Sequence, residues 1–305
     1  MTGRVMRSTG SWYEVQAEDE QRYLCRLKGK FRLEGFKESN PVAVGDRVRL
    51  LQDNKDMTID EILPRDNHVL RQSVKRTGHS HVLAANIDQV LILATLHQPR
   101  TSLGFIDRVL VTAESFRIPQ ILAFNKSDLL LPEEKKEVDG YLKLYRSIGV
   151  TSLSISLLSE ADLDSLKPSL AHKTTLVAGH SGVGKSTLLN RLSPGIQQTV
   201  SEVSEVTRKG THTTTYAEMF SIDHDTYMID TPGIKEWGLV EMEPQEISDY
   251  FPEMRELRLS CRFGARCLHL QEPGCAVLTA LKNGTIADSR YQSYVRMVSG
   301  EDSRK

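Results

Sequence analysis

Eight consecutive residues, GHSGVGKS from Gly179 to Ser186, set three glycines, a lysine and a serine at the spacing of a phosphate-binding loop. Gly179, Gly182 and Gly184 permit a tight wrap, in which the N–H groups of His180, Ser181, Val183 and their neighbours point at phosphate oxygens. Lys185 is placed to reach the β- and γ-phosphates, and the Ser186 hydroxyl, with Thr187 behind it, to ligate Mg²⁺. A glycine-rich turn that binds nothing is the alternative, but the flanking sequence weighs against it. TTLVAG (174–179) reads as a buried strand and STLLNRL (186–192) as the helix that follows. That helix would add its positive dipole end at the phosphates.

A second set of polar residues could read a base. NKSD, Asn125 to Asp128, ends the apolar run IPQILAF, at the strand end where open α/β sheets bind ligands. The Asp128 carboxylate can accept two hydrogen bonds, from the N1–H and 2-amino groups of guanine, whereas adenine would leave it unpaired. Asn125 is expected to bridge to the phosphate loop, and the stem of Lys126 to lie along the base. A further base contact is expected near Ser154 and Ser156, although the usual Ser-Ala-Lys pattern is absent. YMIDTPG offers Asp230, which would hold Mg²⁺ through a water, and the Gly233 N–H for the γ-phosphate. In RKGTHTTTYAEMF, Thr213 and Thr214 are candidates for a second Mg²⁺ hydroxyl. With the phosphate loop present, these two stretches read as switch segments that order on the γ-phosphate.

A separate constellation lies in CRFGARCLHLQEPGC: Cys261, Cys267, His269 and Cys275, three thiols and an imidazole within fifteen residues. This donor set suits one tetrahedral structural Zn²⁺, with no position left for a water. Of four cysteines only Cys25 stands apart. The first residues lack a signal-peptide core, and a reducing, cytoplasmic setting favours metal over disulfides. Arg255, Arg258, Arg262 and Arg266, three to four residues apart, read either as a basic helical stripe for RNA or as a solvated face balanced by Glu253 and Glu256.

The elements that must position these groups fall into three units: 1–72, 73–236 and 237–305. The fold class is an α/β phosphate-loop domain between an N-terminal β-barrel of OB-fold type and a small α-helical zinc-binding domain. GRVMRS, WYEVQA, RYLCRLKG, DRVRLL and TIDEILP are five strand candidates for the barrel. In the third, Arg26, Lys28 and Lys30 share one strand face, with Arg32, Tyr23 and Phe31 nearby, which suits single-stranded RNA or simply a soluble exterior. Leu70 to Asn86 reads as a polar, partly ordered linker, and IDQVLILATL as the first buried strand of the α/β domain.

The order NKSD, GHSGVGKS, GTHTTT, DTPG places the base-reading motif upstream of the phosphate loop. In this order and in both flanks, over nearly the whole chain, the sequence resembles the circularly permuted GTPases of the RsgA (YjeQ or YloQ) family, small-ribosomal-subunit biogenesis factors. The resemblance implies GTP as substrate and GDP as product, hydrolysis stimulated by the small (30S) ribosomal subunit, binding of its rRNA, and a role in late maturation. By analogy with T-T-R patterns in relatives, it favours Thr214 as the Mg²⁺ ligand. Relatives usually place four residues between the first two zinc cysteines, whereas five intervene here.

Permutation is tolerated because domain termini lie close together on the surface. It makes DTPG the last part of the nucleotide domain, so a C-terminal domain that moves with nucleotide state is expected. A Ras-like enzyme places a water-orienting Gln after the DxxG glycine; Ile234 stands here and cannot bond a water. His212 is the candidate replacement, with a solvent-facing loop histidine as the alternative. The catalytic set read from the sequence is therefore His212, Lys185 and Thr214.

A net charge of −1 means RNA binding must come from local basic patches. No apolar run is long enough for a membrane span, and a monomer is expected. Two other classes stay open: a ribosome-associated nucleotide-binding module with negligible turnover, and a phosphate-loop NTPase serving a non-ribosomal partner.

Overall fold

A computed structural model describes residues 1–9, 12–28, 41–53, 56–72, 80–193, 217–230 and 242–301. The first five strands are β1 (Thr2–Ser8), β2 (Tyr13–Ala17), β3 (Arg22–Leu27), β4 (Arg47–Asp53) and β5 (Asp56–Ile62). They pair in the order β1-β2-β3-β5-β4, and a β1–β4 pairing closes the barrel. The β3–β5 contact is parallel and the others are antiparallel. Alternation fills it: Val5, Tyr13, Val15, Cys25, Val48, Leu50 and Ile59 point inward and are almost wholly buried. On β3 the same alternation turns Arg22, Leu24, Arg26 and Lys28 outward. Tyr23 packs instead against the core side, away from the row of cations. Lys30, Phe31 and Arg32 lie outside the described residues.

The α/β domain holds β8 (Gln89–Ala94), β9 (Gln120–Phe124), β10 (Thr151–Ser154), β11 (Thr174–Ala178), β12 (Glu218–Ser221) and β13 (Tyr227–Asp230). Their order is β10-β9-β8-β11-β13-β12, parallel except for β12. Every residue of β8 and β11 is buried, as a central parallel strand covered on both faces requires. Helices α1 (Leu103–Ser115), α2 (Pro132–Ser147), α3 (Glu160–Leu170) and α4 (Lys185–Leu192) complete it. Strand β1 pairs with the edge strand β12 through Arg7 and Glu218, so sheet and barrel are continuous.

The stretch 70–86, expected as a polar linker, instead contributes to a two-stranded ribbon, β6 (His68–Gln72) against β7 (Ser80–Ala85). Its apolar residues decide this: Val69 and Ala84 are fully buried in the α/β core. Asn67 locks the ribbon by donating to the Ile87 carbonyl and accepting from the Ile87 N–H.

The C-terminal unit comprises the one-turn helix α5 (Pro252–Arg255), α6 (Ala276–Lys282), α7 (Asp288–Val298) and short 3₁₀ turns. Phe251, Met254, Val277, Tyr294 and the three zinc-motif cysteines form its core, together with Val111 of α1. The four arginines do not form one stripe, because 3₁₀ turns at 257–260 and 264–266 break the helical repeat. Arg255 pairs with Glu114 and Arg258 with Asp249, whereas Arg262 and Arg266 are exposed. Glu253 balances none of them; it is bound to Arg290. Among the described residues, no helix is long and apolar enough to cross a membrane.

Candidate functional site

Parallel strands β9 and β11 flank β8, so NKSD and GHSGVGKS emerge side by side at one sheet edge. Asn125, 5% exposed, joins them: its Nδ2 donates to the Val183 carbonyl at 2.8 Å and its Oδ1 accepts from the Leu157 N–H at 3.0 Å. One side chain thereby ties the NKSD turn, the GHSGVGKS loop and the turn holding Ser156. Ser156 is buried, donates its N–H to Asp162 and accepts from the Leu158 N–H, whereas Ser154 is exposed. Asp128 lies exposed in the 3₁₀ turn after Lys126.

The loop is built so that only glycine fits at two points. At Gly179 an added Cβ would lie 2.5 Å from the Leu93 carbonyl oxygen. Gly184 has φ +113°, and a Cβ there would lie 2.5 Å from Asn125 Nδ2. Gly184→Ala should therefore break the Asn125 bridge and add backbone strain of about 1–3 kcal/mol. GDP affinity, measured by calorimetry, should fall by about tenfold or more, since each 1.4 kcal/mol is a factor of ten; unchanged affinity would show that the bridge plays no part in binding.

Lys185 opens α4 and donates to the carbonyls of Gly179 (2.9 Å) and His180 (3.1 Å). Burial holds its ammonium below the ordinary lysine range, and the Asp230 carboxylate opposes that shift. Asp230 ends β13 in register with Val177 of β11, beside the loop. His180 packs on Phe105 of α1, ring centroids 4.1 Å apart. Ser181, Gly182, Ser186 and Thr187 are exposed at the loop rim, and Val183 is buried beneath it. His212, Thr213, Thr214 and Gly233 lie outside the described residues.

The sequence reading missed the segment after β8. Lys126, left-handed at φ 66°, donates its Nζ to the Gln98 carbonyl at 2.6 Å. Pro99 faces the loop, 3.4 Å from where a Gly182 Cβ would stand. Reciprocal bonds between Thr95 and Thr101 close the segment. Only the Gln-Pro pair just past an apolar strand hinted at a structured turn there.

Cys261, Cys267, His269 and Cys275 are all buried, with their ligand atoms within 4.8 Å of one another. Sγ of Cys261 and Cys275 are 3.7 Å apart, and His269 Nδ1 lies 3.5 and 3.2 Å from them. A tetrahedral zinc with Zn–S near 2.3 Å requires S···S edges of about 3.8 Å, so the residues fit that ion. The five residues between the first two cysteines include the 3₁₀ turn Gly264–Arg266. N–H groups of Ala276 and Leu278 point at the sulfurs of Cys261 and Cys275. Without a cation, burial pushes the Cys275 thiol up to about 12.

Around this cluster stand residues the motif did not announce. Tyr291 and Tyr294 donate to the carbonyls of His269 and Leu268, and Glu272 accepts from the N–H groups of Leu268, Leu270 and Gln271. Such outer contacts hold ligands in orientation. Glu272, inside the ligand loop, could have been suspected; the tyrosines come together with it only when α7 folds back.

A phosphate-loop motif and an NKSD motif bridged by Asn125, in reversed chain order, form the pattern of a circularly permuted GTPase. The family description RsgA GTPase matches residues 62–240, and RsgA N-terminal domain matches residues 2–59. The chain belongs to the RsgA GTPase family and is a GTP-hydrolysing enzyme. A Christiangramia forsetii protein named small ribosomal subunit biogenesis GTPase RsgA is 46% identical, over 99% of this chain and 97% of its own. A Bacteroides thetaiotaomicron protein, named as RsgA 2, is 44% identical over 100% and 98%. The crystal structure of YjeQ from Thermotoga maritima superposes with a TM-score of 0.78 at 32% identity, over 100% of this chain and 99% of that one. YloQ, described as a circularly permuted GTPase, gives 0.75 at 29%, over 100% and 96%.

Proposed function

We propose that this GTPase acts in maturation of the small ribosomal subunit, hydrolysing GTP to GDP and phosphate when bound there. The observation that carries the site assignment is the double hydrogen bond of Asn125, which makes one cleft of two motifs. In that cleft Asp128 reads guanine, Lys126 lies along the base, and Ser156 shapes the adjoining turn. The amides of residues 180–187 and the Lys185 ammonium receive the phosphates. Bound Mg²⁺, held by Ser186, Thr214 and, through a water, Asp230, would neutralise charge developing on the β- and γ-phosphates. Thr213 and the Gly233 N–H complete the γ-phosphate surroundings in this reading.

Phosphoryl transfer here asks for positioning and charge neutralisation. Ile234 cannot orient water, so His212 takes that role when the enzyme is on the subunit. His212→Ala should keep GTP binding while losing about 100-fold of the subunit-stimulated rate, within the range of a general acid–base group. Unchanged stimulation would remove His212 from the mechanism.

Contact with rRNA is assigned to the outer face of β3, where the Arg26 guanidinium lies over the Trp12 ring at 3.9 Å and the exposed Lys28 follows, paired with Asp60 at 2.8 Å. The exposed Arg262, Phe263 and Arg266 beside the zinc cluster form a second surface of that kind. The proposed working form is a cytoplasmic monomer in three units, 1–72, 73–236 and 237–305. The decisive experiment is GTP turnover with and without purified small and large subunits, ATP serving as control. Stimulation by the small subunit alone supports the reading; equal stimulation by both, or none, defeats it.

A further inference from the structure

Helix α1 is buried along nine consecutive residues, Phe105 to Ala113, which is unusual for a helix on the face of a sheet. The cause is that it packs on two sides. Phe105, Ile106, Val109, Leu110 and Ala113 join the α/β core. Asp107, Val111 and Glu114, spaced i, i+4 and i+7, form a second stripe that meets the C-terminal unit.

At the centre of that stripe lies a charge cluster in which Asp107 and Arg290 are closed off from water. Arg290 of α7 is 1% exposed and Asp107 0%. The guanidinium donates to Asp107 at 2.6 Å and, through two nitrogens, to Glu253 at 2.7 and 3.2 Å. The Tyr145 hydroxyl of α2 donates to the same Asp107 oxygen at 2.9 Å, and the Phe251 ring lies 4.5 Å from the guanidinium. Burial opposes the charge on Arg290, but Asp107 and Glu253 outweigh it and hold the group protonated.

Desolvating such a cluster consumes much of its Coulomb energy, so apolar residues of similar volume would bind the two units as well. What directional charges supply, and grease does not, is a single register between packed elements. The register matters because α1 also touches the phosphate loop. Phe105 packs at a tilt against the His180 ring, and the His180 carbonyl accepts from the Lys185 ammonium.

We propose that Arg290 is a positioning residue for GTP hydrolysis: it fixes α1 through Asp107, and α1 in turn sets the phosphate loop through the Phe105–His180 contact. The C-terminal unit thus has a physical route to the phosphates besides the DTPG segment. This rests on the chain being a GTPase, and goes beyond the roles that reading gives to the nucleotide-contacting residues.

The test uses the full-length zinc-loaded protein carrying Arg290→Lys, Phe105→Leu, or both. Lysine keeps a cation against Asp107 and Glu253 while losing the forked geometry. A misplacement of about 1 Å can cost about 100-fold in rate, so the partial disturbance in each single variant should lower kcat at saturating GTP by about tenfold, with KM nearly unchanged. If both substitutions break one route, the double variant should be no slower than the slower single one. The His180 imidazole resonances should shift in Arg290→Lys. A second variant, Asp107→Leu with Arg290→Met, restores apolar packing and should still lose kcat. Multiplicative losses in the double variant, an undisturbed His180 signal, or full kcat in the apolar pair would overturn the proposal. A parent protein without turnover would sink the GTPase reading and this proposal together, whereas full turnover in Arg290→Lys sinks only the proposal.

Discussion

Asp128→Asn should weaken GTP and GDP binding by about 100- to 1,000-fold, the equivalent of about 3–4 kcal/mol for losing a charge-assisted bidentate contact. In the proposed site the carboxylate accepts from both guanine N–H groups; an amide would present one acceptor and one donor, and the donor would face the 2-amino group. Xanthine nucleotides carry a carbonyl at that position, so the Asn variant should bind xanthosine triphosphate better than GTP. The comparison isolates base reading from folding, since a collapsed cleft would bind neither. Asp128 sits exposed in a turn fixed by Asn125 behind it, so the substitution leaves the framework intact. Equal affinity of the variant and parent for GTP would remove Asp128 from the base site.

Removal of zinc should unfold the C-terminal unit while leaving the nucleotide site able to bind GDP. Structural zinc sites bind with apparent free energies of about 10–16 kcal/mol, as large as the whole stability of a typical domain, about 5–15 kcal/mol. Here the ligands are also the core: Cys261, Cys267 and Cys275 pack directly with Phe251, Met254 and Tyr294. A Cys275→Ser protein, or the parent treated with chelator, should lose amide protection over 242–301 and become protease-sensitive there. Metal analysis of the parent should give one zinc per chain. Because burial pushes the free Cys275 thiol up to about 12, zinc must displace protons to bind, and its affinity should fall as pH is lowered. Retained protection after complete chelation would make the cluster a packed set of thiols instead.

Loss of zinc should also release Arg290 and uncover the α1 stripe of Asp107, Val111 and Glu114, removing the ionic and apolar contacts that the C-terminal unit makes there. The nucleotide domain should therefore melt earlier in the zinc-free protein, even though no zinc ligand belongs to it.

Much of the chemistry could be read along the chain because it is made by contiguous residues. GHSGVGKS, NKSD and the Cys-Cys-His-Cys run each carry their own geometry, through glycine turns and short ligand spacings, and their order along the chain revealed the permutation. The five barrel strands were legible for the same reason, since period-two alternation is a local property. The ribbon β6–β7 was not: Val69–Leu70 and Val82–Ala85 are short apolar runs at either end of a polar stretch, and only the α/β core that buries Val69 and Ala84 fixes them in place.

What the amino-acid order supplied alone is the inventory of motifs: GHSGVGKS, NKSD and a Cys-Cys-His-Cys set, each complete within fifteen residues or fewer. Tertiary structure decided how they are joined. The Asn125 bridge to the phosphate loop was expected from NKSD, but its second bond, to Leu157, was not. Arg290 reaches Asp107 across 183 residues and leaves no trace in spacing, because a buried charge on a helix and one facing water have the same sequence signature. Only the closing of a low-dielectric interface around them makes one a solvated surface group and the other a fixed connection between domains.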